Sequence, residues 1–215
     1  MTFRLIIGLT AMISVLGAWG ESQWYKGATH LHSLWSDGNA APEHIVQWYL
    51  DQGWDFVCPS DHNVLMEGER YVKIAEGGKL TEERVAALQT QFGEDWVTIR
   101  EGKGGAKEMR LKTLAELRAH FEQPGKFTLI QAEEMTTLGG NPHINALNLR
   151  DPVAGVKNEG EKSALIQHYL DTLKAQSEKY QVPMIAHVNH INFADRITTE
   201  EMLQVKGLYF FEVYN

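Results

Sequence analysis

The chain has 215 residues, 43% of them hydrophobic, and a formal net charge of -8. That is enough chain to bury a core as one domain. The acidic balance disfavours polyanionic partners such as nucleic acid, and a single cysteine, Cys58, excludes an intrachain disulfide.

Residues 1–20 read as a secretory signal peptide. A short, positively charged start ends at Arg4, an apolar run covers 5–16, and Ala18-Trp19-Gly20 places small residues at a cleavage site after Gly20. The run is short for a span of about 20 residues, and no cysteine follows it to carry a lipid. The expectation is export to the periplasm or exterior, without stable membrane insertion after cleavage.

Residues 24–31 read as a first strand. Residues 42–52 form a helix that Pro42 can start, and 54–59 form a buried strand that holds Cys58 as a core thiol. Helices follow at 81–92 and 113–122, with a short strand at 97–99 between them. Residues 126–132 and 143–149 are strands, 161–180 a long amphipathic helix, 182–187 a strand, 199–205 a short helix and 208–214 a last strand. This alternation argues for an α/β fold with a largely parallel sheet, whose ligands collect at the carboxyl ends of the strands. Residues 21–215 are expected to form one domain, with 64–125 an insertion packed beside or over the site. A terminal apolar strand without a covering helix implies either an edge strand or a C-terminally incomplete chain.

Six of the nine histidines fall in four clusters at strand ends: His30-Leu31-His32, Ser60-Asp61-His62-Asn63, Pro142-His143-Ile144-Asn145 and His187-Val188-Asn189-His190. Imidazoles and carboxylates gathered there are the donors a transition metal takes. His30 and His32, two apart, point the same way on an extended chain and can share one ion. Gly38 permits a tight turn that returns Asp37 towards it. Asp61 is either a site residue or a turn residue, and His62 a ligand. Glu134 can bridge two ions, and strand alternation turns Glu133 away. His190 is open among ligand, proton donor and loop residue. His44, His120 and His168 lie among polar neighbours in helices and read as surface residues.

Taken together, His30-Leu31-His32, Ser36-Asp37-Gly38, Ser60-Asp61-His62-Asn63, Glu134 with His143, and His187 resemble the motifs of the PHP (polymerase and histidinol phosphatase) superfamily of metal-dependent hydrolases. Lys26-Gly27-Ala28-Thr29 and Gly53-Trp54-Asp55-Phe56-Val57 resemble its carbaryl-hydrolase-like branch. The resemblance covers residues 24–215 and is weakest over 64–125. It implies a distorted (β/α)7 barrel holding two or three divalent ions (zinc, manganese or iron). By position, His30, His32 and Glu134 would hold one ion, Asp37 and His62 a second, and Glu134, His143 and His187 a third. Asp37 stands where many members have histidine. Members also supply an Asp-x-His after a last strand, and this sequence ends before one, which again implies an incomplete C-terminus.

The implied reaction is hydrolysis of a small-molecule substrate by a metal-bridging hydroxide, since bound cations lower the pKa of water to about 7. Asp61 or His190 would shuttle protons. A phosphoester is the leading expectation, with Arg196 as a phosphate partner. A carbamate, ester or amide is the alternative that the branch resemblance suggests. A metal-binding module without catalysis is a second alternative. An amidohydrolase barrel also begins with His-x-His, but its bridging lysine would fall where Glu134 stands.

Overall fold

A computed structural model describes residues 22–193 and 197–214; the expected signal peptide and Arg196 lie outside the described residues. Strands β1 (Gly27–Ala28), β2 (Phe56–Val57) and β6 (Thr128–Leu129) form a short parallel sheet in the order β1-β2-β6. Strands β7 (Ala132–Thr136), β8 (His143–Leu147) and β9 (Ile185–Val188) form an antiparallel sheet in chain order. A second antiparallel sheet, ordered β3-β5-β4, comes from Tyr71–Lys73 (β3), Ile99–Glu101 (β4) and Lys107–Arg110 (β5).

The (β/α)7 barrel and the largely parallel sheet are therefore corrected: no closed barrel is present among the described residues, and two of the three sheets are antiparallel. The reason lies after Glu134. The expected strand at 126–132 is two strands, and β7 runs on to Thr136. Only residues 137–142 then separate β7 from β8. A parallel pairing needs a crossover of about a dozen residues or more. A turn through Gly139 (φ 97°) and Gly140 (φ 158°) instead makes a hairpin.

The helices follow local signals. Helix α1 (Pro42–Asp51) starts at its proline. In α2 (Glu82–Phe92) the Thr81 side chain accepts from the Arg84 N–H, and α3 (Leu114–Phe121) opens with a Thr113/Glu116 capping box. Helix α4 is Lys162–Tyr180, and α5 (Thr199–Leu203) repeats the capping box with Thr198 and Glu201. The expected strand at 208–214 is absent as such. It is an extended segment touching β9 through one parallel bridge, Val188 to Phe211.

Residues 64–125 contribute Leu80, Leu88, Met109, Leu111 and Leu117 to the cluster that buries Ala28, Leu31 and Val57. They also brace the 36–40 turn, where Lys79 Nζ donates to the Asp37 carbonyl and Arg84 to that of Asn39. A second cluster lies between α4 and one face of the β7-β8-β9 sheet, with Met135, Ile144, Ala146, Ile166, Tyr169, Leu173 and Val188. Cys58 is buried with Ala132 and Leu147, its thiol pushed up to about 12 by burial, as expected of a core thiol.

Register decides which face carries chemistry. Thr136 pairs with His143, Glu134 with Asn145, and Asn145 with His187, so these residues share the face away from α4. The 60s segment joins the two halves: His62 bridges Glu134, the Asn63 N–H donates to the Glu134 carbonyl (3.1 Å), and the Glu134 N–H to that of Asp61 (3.2 Å).

The packing makes a direct comparison possible. Ile144→Ala, fully buried against α4, is expected to lower the unfolding free energy by about 2–4 kcal/mol in urea titration. Ile99→Ala, at 44% exposure, should stay within about 0.5 kcal/mol. Equal losses would contradict this placement of the core.

Candidate metal centre

The centre is a ring of imidazoles closed around one carboxylate. Glu134 is fully buried. Its Oε1 lies 3.4 Å from His30 Nε2, 3.4 Å from His190 Nε2 and 3.2 Å from His143 Nδ1. Its Oε2 lies 3.2 Å from His32 Nε2 and 2.9 Å from His62 Nδ1. Going round, ring centroids are 5.0 Å apart from His30 to His32, 4.5 Å to His62, 5.4 Å to His143, 4.9 Å to His190 and 5.7 Å back to His30. Asp37 sits at the rim, 3.3 Å from His32 Nδ1 and 3.6 Å from His62 Nε2.

Each side chain is placed by its local chain. A Cβ on Gly38 would lie 2.4 Å from the His32 carbonyl oxygen, so only glycine lets the turn close and bring Asp37 back. Asp61 is buried and accepts from the Ser33 N–H (2.8 Å), the Ser33 hydroxyl (2.9 Å) and the Ser36 hydroxyl (2.6 Å). It ties the loop after His32 to the 60s segment. Asn63, at φ 49°, accepts from the Thr136 N–H (2.9 Å) and donates to the Thr136 carbonyl (3.1 Å). That fixes His62 beside β7. Asn189 donates to Glu134 Oε1 (2.7 Å) and to Asn145 Oδ1 (2.8 Å), and Asn145 donates to the Thr29 carbonyl (2.6 Å).

Electrostatics follow burial and charge. Burial pushes the Glu134 carboxyl up, but the surrounding imidazoles of His143, His190, His30 and His32 outweigh it and hold the group far below the ordinary carboxylate range. Burial lowers His30, yet Glu134 and Glu212 raise it overall; His62 is raised against burial by Glu134 and Asp37. On the opposite face of β7, burial raises Glu133 to about 7, and the Val153 N–H it accepts only partly offsets this.

His30, His190 and Glu134 form one group of donor atoms within 4.8 Å of each other that could hold a metal ion; His32, His62 and Glu134 form another. The donor set fits. Ligand atoms on a tetrahedral ion about 2.05 Å away are ~3.3 Å apart, and within the donor groups Glu134 Oε1 lies 3.4 Å from both His30 Nε2 and His190 Nε2, and Oε2 3.2 Å from His32 Nε2. Glu134 Oε2 is buried beside two imidazoles, yet no described group makes a hydrogen bond to it. Imidazole with carboxylate suits zinc, iron and manganese.

The structure thus brings together His30, His32, Asp37, His62, Glu134, His143 and His190, but groups them differently from the expected ligand sets. His30 pairs with His190, and His32 with His62. His187 is on the same sheet face but two strands from Glu134, about 10 Å across. Its ring, lowered in pKa by burial, lines a separate, mainly apolar cavity of about 660 Å³ with Phe56, Phe210 and Phe211. Asp61, expected as a proton carrier, is committed to loop bonds and does not line the site cavity. His120 and His168 are exposed as expected, and His44 is half-buried. Asn63, Asn145, Asn189 and Glu212 also belong to the site; the one sequence signal for any of them is that each of the three asparagines stands within two residues of a histidine.

No family model matches the chain, and no curated protein matches it.

The site's neighbour Glu133 gives a pH test. Its unfolded value is near 4.5 and its folded value about 7. Between these the folded protein keeps a proton that the unfolded chain has released, so this group makes stability fall as pH rises through that window and stay level above it. Glu133→Gln should remove that component. The variant is expected to gain about 1–3 kcal/mol relative to the parent on moving from about pH 4.5 to about pH 8. Parallel stability curves for the two proteins would contradict the shifted carboxyl.

Proposed function

We propose that this chain is a metal-dependent hydrolase acting on a small-molecule substrate. The observation that carries the reading is the buried carboxylate of Glu134, which faces different imidazoles with each oxygen. That is the arrangement of a bridging ligand between two ions. The similarity of the His30, Asp37, His62 and Glu134 motifs to the PHP superfamily supports the same chemistry.

In this reading His30, His190 and Glu134 would hold one divalent ion, and His32, His62 and Glu134 a second, with Asp37 at the rim of the latter group. Such ions supply Lewis acidity and a water of lowered pKa. The chain's own groups orient and exclude. Asn189 fixes the Glu134 carboxylate, and Ser33 and Ser36 fix the His32 loop through Asp61. His143, beside Glu134 but outside both donor groups, holds or moves a proton at its ring nitrogen. The adjoining cavity of about 980 Å³ takes the substrate, with Tyr49, Phe193 and Tyr214 in its wall.

Phosphoester hydrolysis is the reading that the motif resemblance favours. Hydrolysis of a carboxylic ester, carbamate or amide is favoured instead by the wall, whose described residues include three aromatic side chains and no lysine or arginine. A matched pair of nitrophenyl phosphate and nitrophenyl ester or carbamate substrates separates them.

Glu134→Ala is expected to lose bound zinc or manganese and all turnover, measured by metal content after dialysis and by both assays. His187→Ala, outside the ring, should keep its metal. Turnover that survives chelation, or that persists in Glu134→Ala, would contradict the proposal. Full metal content with no turnover of any ester would reduce it to a metal-binding module.

A further inference from the structure

Glu212 stands outside the imidazole ring yet touches it twice. Its Oε1 lies 3.0 Å from His30 Nδ1, and its Oε2 accepts from the His190 backbone N–H at 2.8 Å. His30 and His190 are the two imidazoles whose Nε2 atoms face Glu134 Oε1. One carboxylate thus holds both members of one candidate subsite from behind.

The chemistry of that contact is directional. An ionised carboxylate only accepts, so the His30 ring must place its proton on Nδ1 to bond Glu212. Nε2 is then left with a lone pair directed into the centre. A histidine ligand whose far nitrogen donates to a carboxylate is oriented, fixed in tautomer and made more basic. Both side chains are largely shielded, at 9% and 14% exposure, which strengthens the bond. The second contact acts on the backbone. His190 sits at φ 28°, a region that a residue with a side chain rarely occupies, and the Glu212 bond helps to hold it there. The segment is itself anchored: the Glu212 N–H donates to the Val188 carbonyl (2.8 Å), and the Val188 N–H to that of Phe210 (3.2 Å).

We propose that Glu212 is a positioning residue for the His30/His190/Glu134 subsite, selecting Nε2 of His30 as the metal-facing atom and setting the place of His190. The proposal rests on the metal-centre reading above. Glu212 is not itself a ligand: both its oxygens are engaged behind the ring, and neither donor group includes it.

The test uses Glu212→Gln, which keeps the size but has one acceptor oxygen for two donors and no charge, and Glu212→Asp, which keeps the charge. Nitrogen-15 NMR of the metal-free chain, above the imidazole titration, reads the tautomer directly. The parent is expected to show His30 protonated on Nδ1, Glu212→Gln to shift towards Nε2–H, and Glu212→Asp to return part of the way. Zinc competition against a chelator should show one of two sites weakened about 10–100-fold in Glu212→Gln, with the other retained. The melting temperature of the metal-free proteins reports any purely structural damage. An unchanged tautomer with unchanged zinc affinity overturns the proposal, as does a loss of affinity matched by general unfolding in both variants. A parent that takes up no zinc overturns the metal-centre reading, and the tautomer alone then decides what Glu212 does.

Discussion

The carboxylate of Glu134 is fully enclosed, and five imidazole rings approach it within 3.4 Å. Burying a lone carboxylate costs several kcal/mol even after relaxation, so the group can stay ionised only if its surroundings supply positive charge or donors. Here they supply both. Asn189 donates to Oε1, and His30 and His62 are held above their ordinary pKa by the same carboxylate. Protons on the imidazoles and divalent cations compete for one space. Metal uptake by such a site releases protons and strengthens as pH rises.

Much of the surrounding structure exists to bring that ring together. The parallel sheet contributes the loops carrying His30, His32 and His62; the antiparallel sheet contributes Glu134 and His143 and leads into His190. The two halves meet at the His62–Glu134 bridge. Buried polar side chains lace the seam, with Asp61 binding two serines, Asn63 gripping Thr136, and Asn145 reaching the Thr29 carbonyl. Buried polar bonds of this kind rigidify what they span. The Glu212 contact to His30 joins residues 182 apart in sequence.

Local signals in the sequence were legible where they acted locally. Pro42, Thr81 and Thr113 mark helix starts that the structure keeps to within a residue. The alternation of Glu133 and Glu134 puts one against Val153 and the other in the centre. What was not legible is tertiary. The Gly139-Gly140 turn lies outside any apolar periodicity, yet it makes the hairpin that replaces a parallel crossover, and no closed barrel is present among the described residues. His187 has the right face but the wrong strand, and period-two reasoning cannot measure distance across a sheet. His190 enters through a backbone at φ 28° that no periodicity foretells. Asp61, adjacent to a ligand in sequence, turns to the loop because Ser33 and Ser36 offer it three donors.

The central claim is that Glu134 joins two cation positions within one ring of histidines. Anomalous X-ray diffraction at the zinc edge, on crystals grown with zinc, locates the ions without reference to activity. The account predicts peaks beside both Glu134 oxygens, one against His30 and His190 and the other against His32 and His62. Zinc bound only at surface carboxylates, with no peak inside the ring, would contradict it.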